Sequence, residues 1–368
     1  MHARVRAQFK EQPPKVMLLA SDTDADWIGA SLMKALRLKK PEVEFCGAGG
    51  PLMGLQGLES TQTVGNPAAI HFYMLWQRRQ MVRQLLRQAL IERPDILIIV
   101  NASAWALSVA KWFRRRSNVK IYFLDAAGPH LAKPGLVDIA DITFDTIPHN
   151  KNEDDHLFVG HPIFEKFAEY VPTGAARPLS KVGRVALMPS TFQTTQQMNL
   201  LSKLVEELRE DHPRLEVVIP IEDGHNPRSF EPFAYLSANY VRGPEKYTAL
   251  GHCDVAIASK DDSNLDLVAL GVPMVLIPKF GFKLDKLYQT FMRGQNVTPI
   301  KYWGGEHVIP ELQAHHSPLE ELISMVKPLL KNGIDRKQQL GTLNKMRKSL
   351  VAEKKTASTT AASEIFSK

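Results

Sequence analysis

The chain has 368 residues, which is long enough for two domains of ordinary size. Hydrophobic residues make up 44% and charged residues 23%, which excludes a largely disordered protein. The formal net charge of +7 favours anionic partners such as nucleotide phosphates, phospholipid surfaces or RNA, but it selects none of them.

The two cysteines, Cys46 and Cys253, lie far apart in the sequence. A disulfide framework and a cysteine-based zinc site are therefore not expected, and a reducing compartment fits. No apolar run reaches the roughly 18–20 residues of a membrane span. The N-terminus is basic and has no apolar core, so we predict a flexible leader over 1–15 rather than a secretory signal. The alternative for this stretch is the remnant of an organelle-targeting segment.

The N-terminal half alternates apolar strands with helices. Its strands are predicted at 16–20, 43–47, 96–100, 120–124, 140–145 and 157–162, the last of which ends in a Gly-His-Pro turn. Repeated β–α units of this kind predict a parallel sheet.

A long helix predicted at 73–93 combines an apolar stripe with a basic side. Its arginines are Arg78, Arg79, Arg83, Arg87 and Arg93. Together with the aromatic residues at 72–76, this helix would suit an acidic membrane surface. The alternative is a helix whose stripe faces the core and whose arginines face water.

A linker-like stretch at 169–181 contains two prolines and a glycine, and the β–α pattern restarts after it. Strands are predicted at 185–188, 215–219, 238–243, 255–258 and 273–277, and the chain continues with helices at 319–331 and 335–353. We therefore predict an α/β fold with two doubly wound Rossmann-type domains, at 16–175 and 176–353, facing a central ligand cleft. The Ala/Ser/Thr-rich tail at 354–368 is expected to be frayed.

The polar loop at 259–264 follows a buried strand and precedes a helix. Ligands of open α/β sheets bind beyond the carboxyl ends of the strands, so this is the predicted ligand loop of the second domain. Its helix-start N–H groups suit an anion, whereas Asp261 and Asp262 would repel one.

Three segments, RPDILIIVNA, FVGHP and DLVALGVPMVLIPK, stand out as motifs. The opening of the chain adds a further pattern, made by Asp26, Gly29, Ala30, Gly47, Gly49, Gly50, Pro51, Met53, Gly57 and Glu59. Taken in order from about residue 16 to 330, these motifs resemble those of lipid-A-disaccharide synthase, a glycosyltransferase of the two-Rossmann (GT-B) kind.

The resemblance implies transfer of diacylglucosamine from UDP to a second diacylated glucosamine 1-phosphate, without a metal or a cofactor. The first domain would take the acceptor and the second the UDP-sugar. The implied location is cytoplasmic and peripheral to the membrane, with an organelle interior as the alternative. Such a transfer needs a base for the acceptor hydroxyl, and positive charge or N–H groups for the departing diphosphate.

The sequence departs from the family pattern where this chemistry is expected. Asn101 replaces a strand-end aspartate that is a candidate base, and a carboxamide accepts no proton at neutral pH. Phe192 replaces an arginine that would face the diphosphate. Asp261 replaces a glycine that lets the backbone approach a phosphate closely.

The candidate catalytic residues are Asp22, Asp26, Asn101 and His161, and His161 is also interpreted as a structural histidine after a tight turn. Asp266 stands at the position of the family's ribose-binding glutamate. The candidate nucleotide-sugar-binding residues are Ser190, Thr191, Gln193, Lys260, Asp262, Ser263, Asp266 and Lys279.

The departures support a second hypothesis, that of a catalytically degenerate homologue acting as a structural or binding subunit of a larger assembly. Loss of one preorganised group commonly costs about a hundredfold to a thousandfold in rate, and several are lost here. A protein or RNA partner would then use the basic surface, and an oligomer is also compatible with the sequence. A nucleic-acid-binding protein is a third hypothesis, although the sequence contains no RNA-binding motif with interleaved aromatic residues.

Overall fold

The structure is a computed structural model that describes residues 13–21, 23–63, 71–101, 103–125, 139–148, 155–167, 179–189, 194–221, 227–259, 264–278, 308–312, 318–351 and 356–367. The chain divides into unit 1 (Met1–Pro162 with Ala352–Lys368) and unit 2 (Ile163–Val351). The predicted boundary at residue 175 and residues 1–12 of the predicted leader lie outside the described residues, and the division between the units comes after Pro162.

Unit 1 contains a seven-stranded parallel sheet in the order β3-β2-β1-β4-β5-β6-β7. The strands are β1 (Lys15–Ala20), β2 (Glu44–Gly49), β3 (Glu59–Thr63), β4 (Ile96–Val100), β5 (Lys120–Asp125), β6 (Ile142–Asp145) and β7 (His156–Phe158). The strand order reverses between β1 and β4, which is the topological switch point of a doubly wound sheet. Strand β3 was not predicted because its sequence, ESTQT, has no apolar residue.

Helices cover both faces of this sheet: α1 (Thr23–Lys39), α2 (Pro51–Leu55), α3 (His71–Glu92) and α4 (Ala104–Arg116). Alternate residues of β1 point to opposite faces. Leu18 packs in one core with residues of α1, while Met17 and Leu19 pack in a second core with residues of α3 and α4. Because both faces are buried, β1 reads as a continuous apolar run.

The described part of α3 has the core-facing arrangement. Leu85 and Ala89 are buried in the second core, whereas the basic side is exposed at Arg79, Arg83 and Arg87. Among the described residues, none of the helices combines the length and the apolar character that a membrane crossing requires.

The prediction of a frayed tail is wrong. After Thr356, the chain forms helix α11 (Ala357–Ile365), which packs on α1 in unit 1. Ala357, Ala361, Ala362 and Ile365 are buried in the same core as the apolar residues of α1. The Thr356 side chain caps the helix by accepting a hydrogen bond from the backbone N–H of Thr359. In the sequence, the small residues that form this contact had the composition of a flexible tail.

Unit 2 contains a five-stranded parallel sheet in the order β10-β9-β8-β11-β12. Its strands are β8 (Arg184–Met188), β9 (Glu216–Pro220), β10 (Asn239–Val241), β11 (Val255–Ser259) and β12 (Met274–Ile277). Its helices are α5 (Ile163–Lys166), α6 (Thr195–Asp211), α7 (Glu245–Gly251), α8 (Asn264–Leu270), α9 (Pro318–Val326) and α10 (Ile334–Leu350), with 3-10 helices at Pro227–Phe233 and Lys327–Leu330. The strands and the main helices predicted for this half are confirmed.

Two buried polar side chains fasten α10 to the sheet of unit 2. Arg336 donates hydrogen bonds to the backbone oxygens of Asp254 (2.7 Å) and Leu329 (2.9 Å). Gln339 accepts from the N–H of Met274 (2.7 Å) and donates to the backbone oxygens of Met274 and Val308 (3.0 Å each). Burial lowers the pKa of the Arg336 guanidinium. These bonds fix α10 against the start of β11 and of β12.

Candidate functional site

Asp26 lies in the first turn of α1 and organises the loop that follows β2. Its Oδ1 accepts hydrogen bonds from the backbone N–H groups of Gly50 (2.8 Å) and Met53 (2.9 Å), and its Oδ2 accepts one from Leu52 (3.0 Å). The side chain is buried and acts as the cap of α2, whose own first residues offer no side-chain acceptor. Both carboxylate oxygens are thus used as acceptors from the backbone.

The glycines of this loop are required by close packing. A Cβ added at Gly50 would lie 2.4 Å from Oδ2 of Asp26, and one added at Gly29 of α1 would lie 2.6 Å from Sδ of Met53. Both distances are shorter than real Cβ contacts, so a larger residue at either position would displace the Asp26 carboxylate or the Met53 side chain. Gly50 and Gly29 therefore leave room for the side chains of Asp26 and Met53.

Asn101 follows β4 directly, at the carboxyl edge of the sheet in unit 1. Its backbone is left-handed (φ 58°), and its N–H donates to the backbone oxygen of Leu124 (3.0 Å). Asparagine and aspartate are among the side-chain-bearing residues that adopt this conformation most readily. The backbone therefore accommodates either residue, and the difference from the family lies in the loss of the carboxylate.

His161 is buried beyond the carboxyl end of β7, between Gly160, whose φ is 87°, and Pro162. Asp145 of β6, which is buried, and His156 of β7, which is half-buried, form a pair with 2.9 Å between Oδ2 of Asp145 and Nδ1 of His156. No pattern in the sequence signals this pair, because parallel strands bring together residues whose separation in the chain follows no motif. Asp22 lies outside the described residues.

The carboxyl edge of unit 2 holds Asp266, in the first turn of α8. Its Oδ1 lies 4.0 Å from Nζ of Lys166, which belongs to α5. The Lys166 ammonium also lies over the rings of Tyr247 (5.0 Å to the centroid) and Phe167 (5.4 Å). These two rings pack edge to face with their centroids 4.7 Å apart, so aromatic faces and a carboxylate surround the cation.

Asn264 is the first residue of α8 and was not predicted as a site residue. Its side chain is fully buried, and within the described part of unit 2 neither its amide nitrogen nor its amide oxygen has a hydrogen-bond partner. An unsatisfied buried polar group costs about 1–3 kcal/mol and calls for an explanation.

Thr194 and Gln197 hold the start of α6 next to the predicted diphosphate loop. They form a capping box, in which each side chain bonds to the backbone of the other residue. Nε2 of Gln197 also donates to the backbone oxygen of Pro278 (3.2 Å), which links the segments that follow β8 and β12. The predicted residues Ser190, Thr191, Gln193, Lys260, Asp262, Ser263 and Lys279 lie outside the described residues. In the part of the chain that is described, no group of three or more His, Cys, Asp or Glu side chains is arranged to hold a metal ion.

Solved structures of sugar-nucleotide enzymes share this pair of sheets. The S. aureus MnaA–UDP co-structure matches with a TM-score of 0.66 at 12% identity, over 96% of both chains. The UDP-GlcNAc 2-epimerase of Neisseria meningitidis bound to UDP-GlcNAc matches with 0.61 at 11% identity, over 96% of this chain and 100% of that one. MurG of Acinetobacter baumannii matches with 0.60 at 14% identity, over 97% and 100%. The fold is that of GT-B glycosyltransferases and related epimerases, as predicted.

The sequence then identifies the family within this fold. The family model described as Lipid-A-disaccharide synthetase matches residues 16–126 and 142–366, and the chain belongs to that family. The lipid-A-disaccharide synthase of Pseudomonas putida KT2440 is 24% identical over 354 residues, covering 90% of this chain and 93% of the relative. The enzyme of the same name from Rhodopseudomonas palustris is 26% identical over 355 residues, covering 90% of each.

Proposed function

We propose that this protein transfers a (diacyl)glucosamine from a UDP-sugar to a lipid-linked glucosamine phosphate acceptor. The observation that carries the proposal is the pair of polar side chains at the start of α8. Asn264 has a buried amide without a partner among the described residues, and Asp266 stands at the ribose-binding position of the family. A nucleoside ligand offers hydroxyl and carbonyl groups that would form hydrogen bonds with both side chains.

Lys166 supports the same assignment by charge. Its Nζ lies 4.0 Å from Oδ1 of Asp266, which is close enough for electrostatic attraction and favours the ionised carboxylate that a ribose hydroxyl would donate to. Its ammonium also adds positive charge at the edge where a diphosphate would bind.

The reaction needs a proton acceptor in unit 1. We assign this role to Asp22, with His161 as the alternative, because Asp26 is already committed to three N–H donors and Asn101 is a carboxamide. The base takes the proton of the acceptor hydroxyl, whose oxygen forms a bond to C1 of the donor sugar. The C1–O bond to the diphosphate breaks and UDP departs, with Lys260 and Lys279 balancing its charge.

Donor binding is tested by thermal shift with UDP and UDP-N-acetylglucosamine. A ligand at 100 times its dissociation constant stabilises a protein by about 2.7 kcal/mol. Asp266→Ala should weaken the shift, whereas Glu231→Ala, an exposed carboxylate of the same unit, should leave it unchanged. No shift at millimolar nucleotide would contradict the proposal.

Asn264→Leu gives a sharper test, because the two side chains have similar shapes. Removing an unsatisfied buried amide should leave the ligand-free protein as stable or make it more stable, while UDP binds more weakly. A purely structural asparagine would show the opposite, with lower stability and unchanged UDP affinity.

A second function is favoured by a specific observation in unit 1. Asn101 and the fully engaged Asp26 leave two of the four candidate catalytic positions without a usable base. This supports the catalytically degenerate homologue, a binding or structural subunit of a larger assembly. An assay with diacylated donor and acceptor separates the two functions: UDP binding without turnover, together with co-purification in a stoichiometric complex, selects the second.

Access to an acylated acceptor suggests that unit 1 associates with an acidic membrane surface through α3. This helix exposes Arg79, Arg83 and Arg87, and near its end the apolar side chains of Leu90 and Ile91. Sedimentation with phosphatidylglycerol vesicles should be lost in a triple Arg→Gln variant of α3. Equal sedimentation of the variant and the natural protein would contradict this location.

A further inference from the structure

A cavity of about 630 Å³ opens at the amino edge of the sheet in unit 2. It is lined by the first residues of β8, β9 and β10 and by the C-terminal ends of α6 and α7. The predicted UDP-sugar loops follow the carboxyl ends of β8 and β11, at the opposite edge of the same sheet. The cavity is therefore separate from the site proposed above.

The cavity has an excess of positive charge. Among the described residues that line it, the three guanidinium groups of Arg184, Arg209 and Arg214 are accompanied by a single carboxylate, that of Glu216. Glu216 pairs with Arg184, with 2.6 Å between Oε2 and Nε. Two positive charges thus remain in excess. The ring of His252 also lines the cavity.

The C-terminal ends of α6 and α7 bring partial negative charge to this edge, which would oppose an anion. Hydrogen bonds already occupy several carbonyl groups there. Arg209 donates to the backbone oxygens of Leu236 (2.6 Å) and Leu215 (3.4 Å). Nδ1 of His252 lies 2.6 Å from the backbone oxygen of Thr248, so this nitrogen is the donor and Nε2 is left for other partners. Because these acceptors are neutral, the charge of Arg209 is not cancelled.

The side chains that line the cavity indicate the kind of ligand that it would bind. Guanidinium groups bind phosphate through paired N–H donors, and Asn239 and Ser237 add short polar side chains. The volume lies within the range of small-molecule pockets, roughly 300–1,000 Å³, and the arginine-rich lining suits a hydrophilic ligand.

We propose that this cavity is a second ligand site of the protein, which binds the phosphate group of a small phosphorylated molecule. Arg214 and Arg184 contact the phosphate. Arg209 adds positive charge without contacting the phosphate and binds the loop before β10 through its hydrogen bond to Leu236. Glu216 lowers the affinity because it competes for Arg184. The site requires no catalytic step and does not depend on the transferase proposal.

The test is calorimetric titration of the full-length protein at low salt with inorganic phosphate and with glycerol 3-phosphate. Arg214→Gln should weaken binding about three- to fivefold, as expected for one exposed charge. Glu216→Gln should tighten it by a similar factor, because Arg184 is released. Arg242→Gln removes an exposed arginine beyond the other end of β10 and should leave the affinity unchanged.

A parallel sedimentation experiment with phosphatidylcholine vesicles, with and without phosphatidic acid, distinguishes a soluble phosphate ester from a lipid headgroup. Binding that responds to Arg214 and Glu216 in opposite directions supports the site, and the probe that shows it identifies the source of the phosphate. The proposal is overturned if no probe binds, or if binding is the same in the natural protein and in both cavity variants.

Discussion

Asp26 shows how one side chain can look catalytic in sequence and serve the architecture in the fold. Its position in a family motif at the start of α1 made it a candidate base. In the structure it gathers three N–H groups from residues that follow β2, more than 20 positions further along the chain. Local sequence carries no signal of such a contact. Gly50 is needed because the Asp26 carboxylate lies against it, where a Cβ would collide with Oδ2.

Asp26→Ala should therefore reduce stability rather than only activity. Removing the acceptor leaves three backbone donors unsatisfied in a mostly buried place, so we expect a loss of about 3 kcal/mol in the free energy of unfolding. Urea denaturation measures it. The control is Asp24→Ala, in the same turn but exposed, which should cost less than about 1 kcal/mol. Equal effects of the two substitutions would contradict the assignment.

Asn101 allows a test in which the carboxylate of the family pattern is restored. Asn101→Asp returns a carboxylate to the carboxyl end of β4 without changing the backbone, because aspartate also tolerates the left-handed conformation. We expect the rate of sugar transfer to rise on the order of a hundredfold, the lower range for an added general base. Asn101→Ala serves as the control, and turnover numbers with diacylated substrates are the measurement. If the aspartate variant is no faster than the natural protein, the base lies elsewhere or the chemistry is lost at further positions.

Among the strands and helices, the sequence predicted those that are buried through apolar side chains. The continuous apolar runs of β1, β4 and β11 and the helical spacing of the apolar residues of α6 indicate directly how each element is buried. Strand β3 is polar and pairs only through its backbone with β2, so no side-chain pattern announces it. Helix α11 packs through alanines, which resemble a linker in composition. These two misses share a cause: backbone pairing and small-residue packing leave a weak hydrophobic signal.

The attachment of α10 gives a prediction at this scale. Gln339→Leu removes three hydrogen bonds and leaves the buried N–H of Met274 without its acceptor. We expect the free energy of unfolding to fall by about 2–3 kcal/mol. Gln338→Leu is a matched control, since the adjacent glutamine is exposed on the same helix. Thermal denaturation of both variants compares them. A smaller loss for Gln339→Leu than for its neighbour would show that the bonds to β12 do not hold the helix.

At the scale of the whole molecule, each unit contains one buried cysteine, Cys46 in unit 1 and Cys253 in unit 2. Burial raises the pKa of the Cys46 thiol to about 12, with a further contribution from the nearby Glu92 carboxylate. The thiolate is the nucleophile, and a raised pKa means that it is scarce at every pH below about 12.

Native protein at pH 8 should therefore resist thiol reagents, and labelling should begin only when a unit opens. Pulsed labelling at increasing urea concentration, followed by peptide mass analysis, would give one unfolding curve for each unit. Cys46→Ser and Cys253→Ser variants assign the curves. Rapid labelling of Cys46 in the absence of urea would contradict its buried position.

Because helix α11 belongs to unit 1, unit 1 cannot finish folding until unit 2 has been synthesised. The sheet of unit 1 and helix α1 leave the ribosome before unit 2, and the part of the α1 surface that receives Ala361 and Ile365 stays uncovered while all of unit 2 is synthesised. Unit 1 is thus completed by a segment that is translated after unit 2. A ribosome that stalls or terminates within unit 2 releases a chain with an apolar groove on its first domain, which is the kind of surface that chaperones and proteases of quality control recognise.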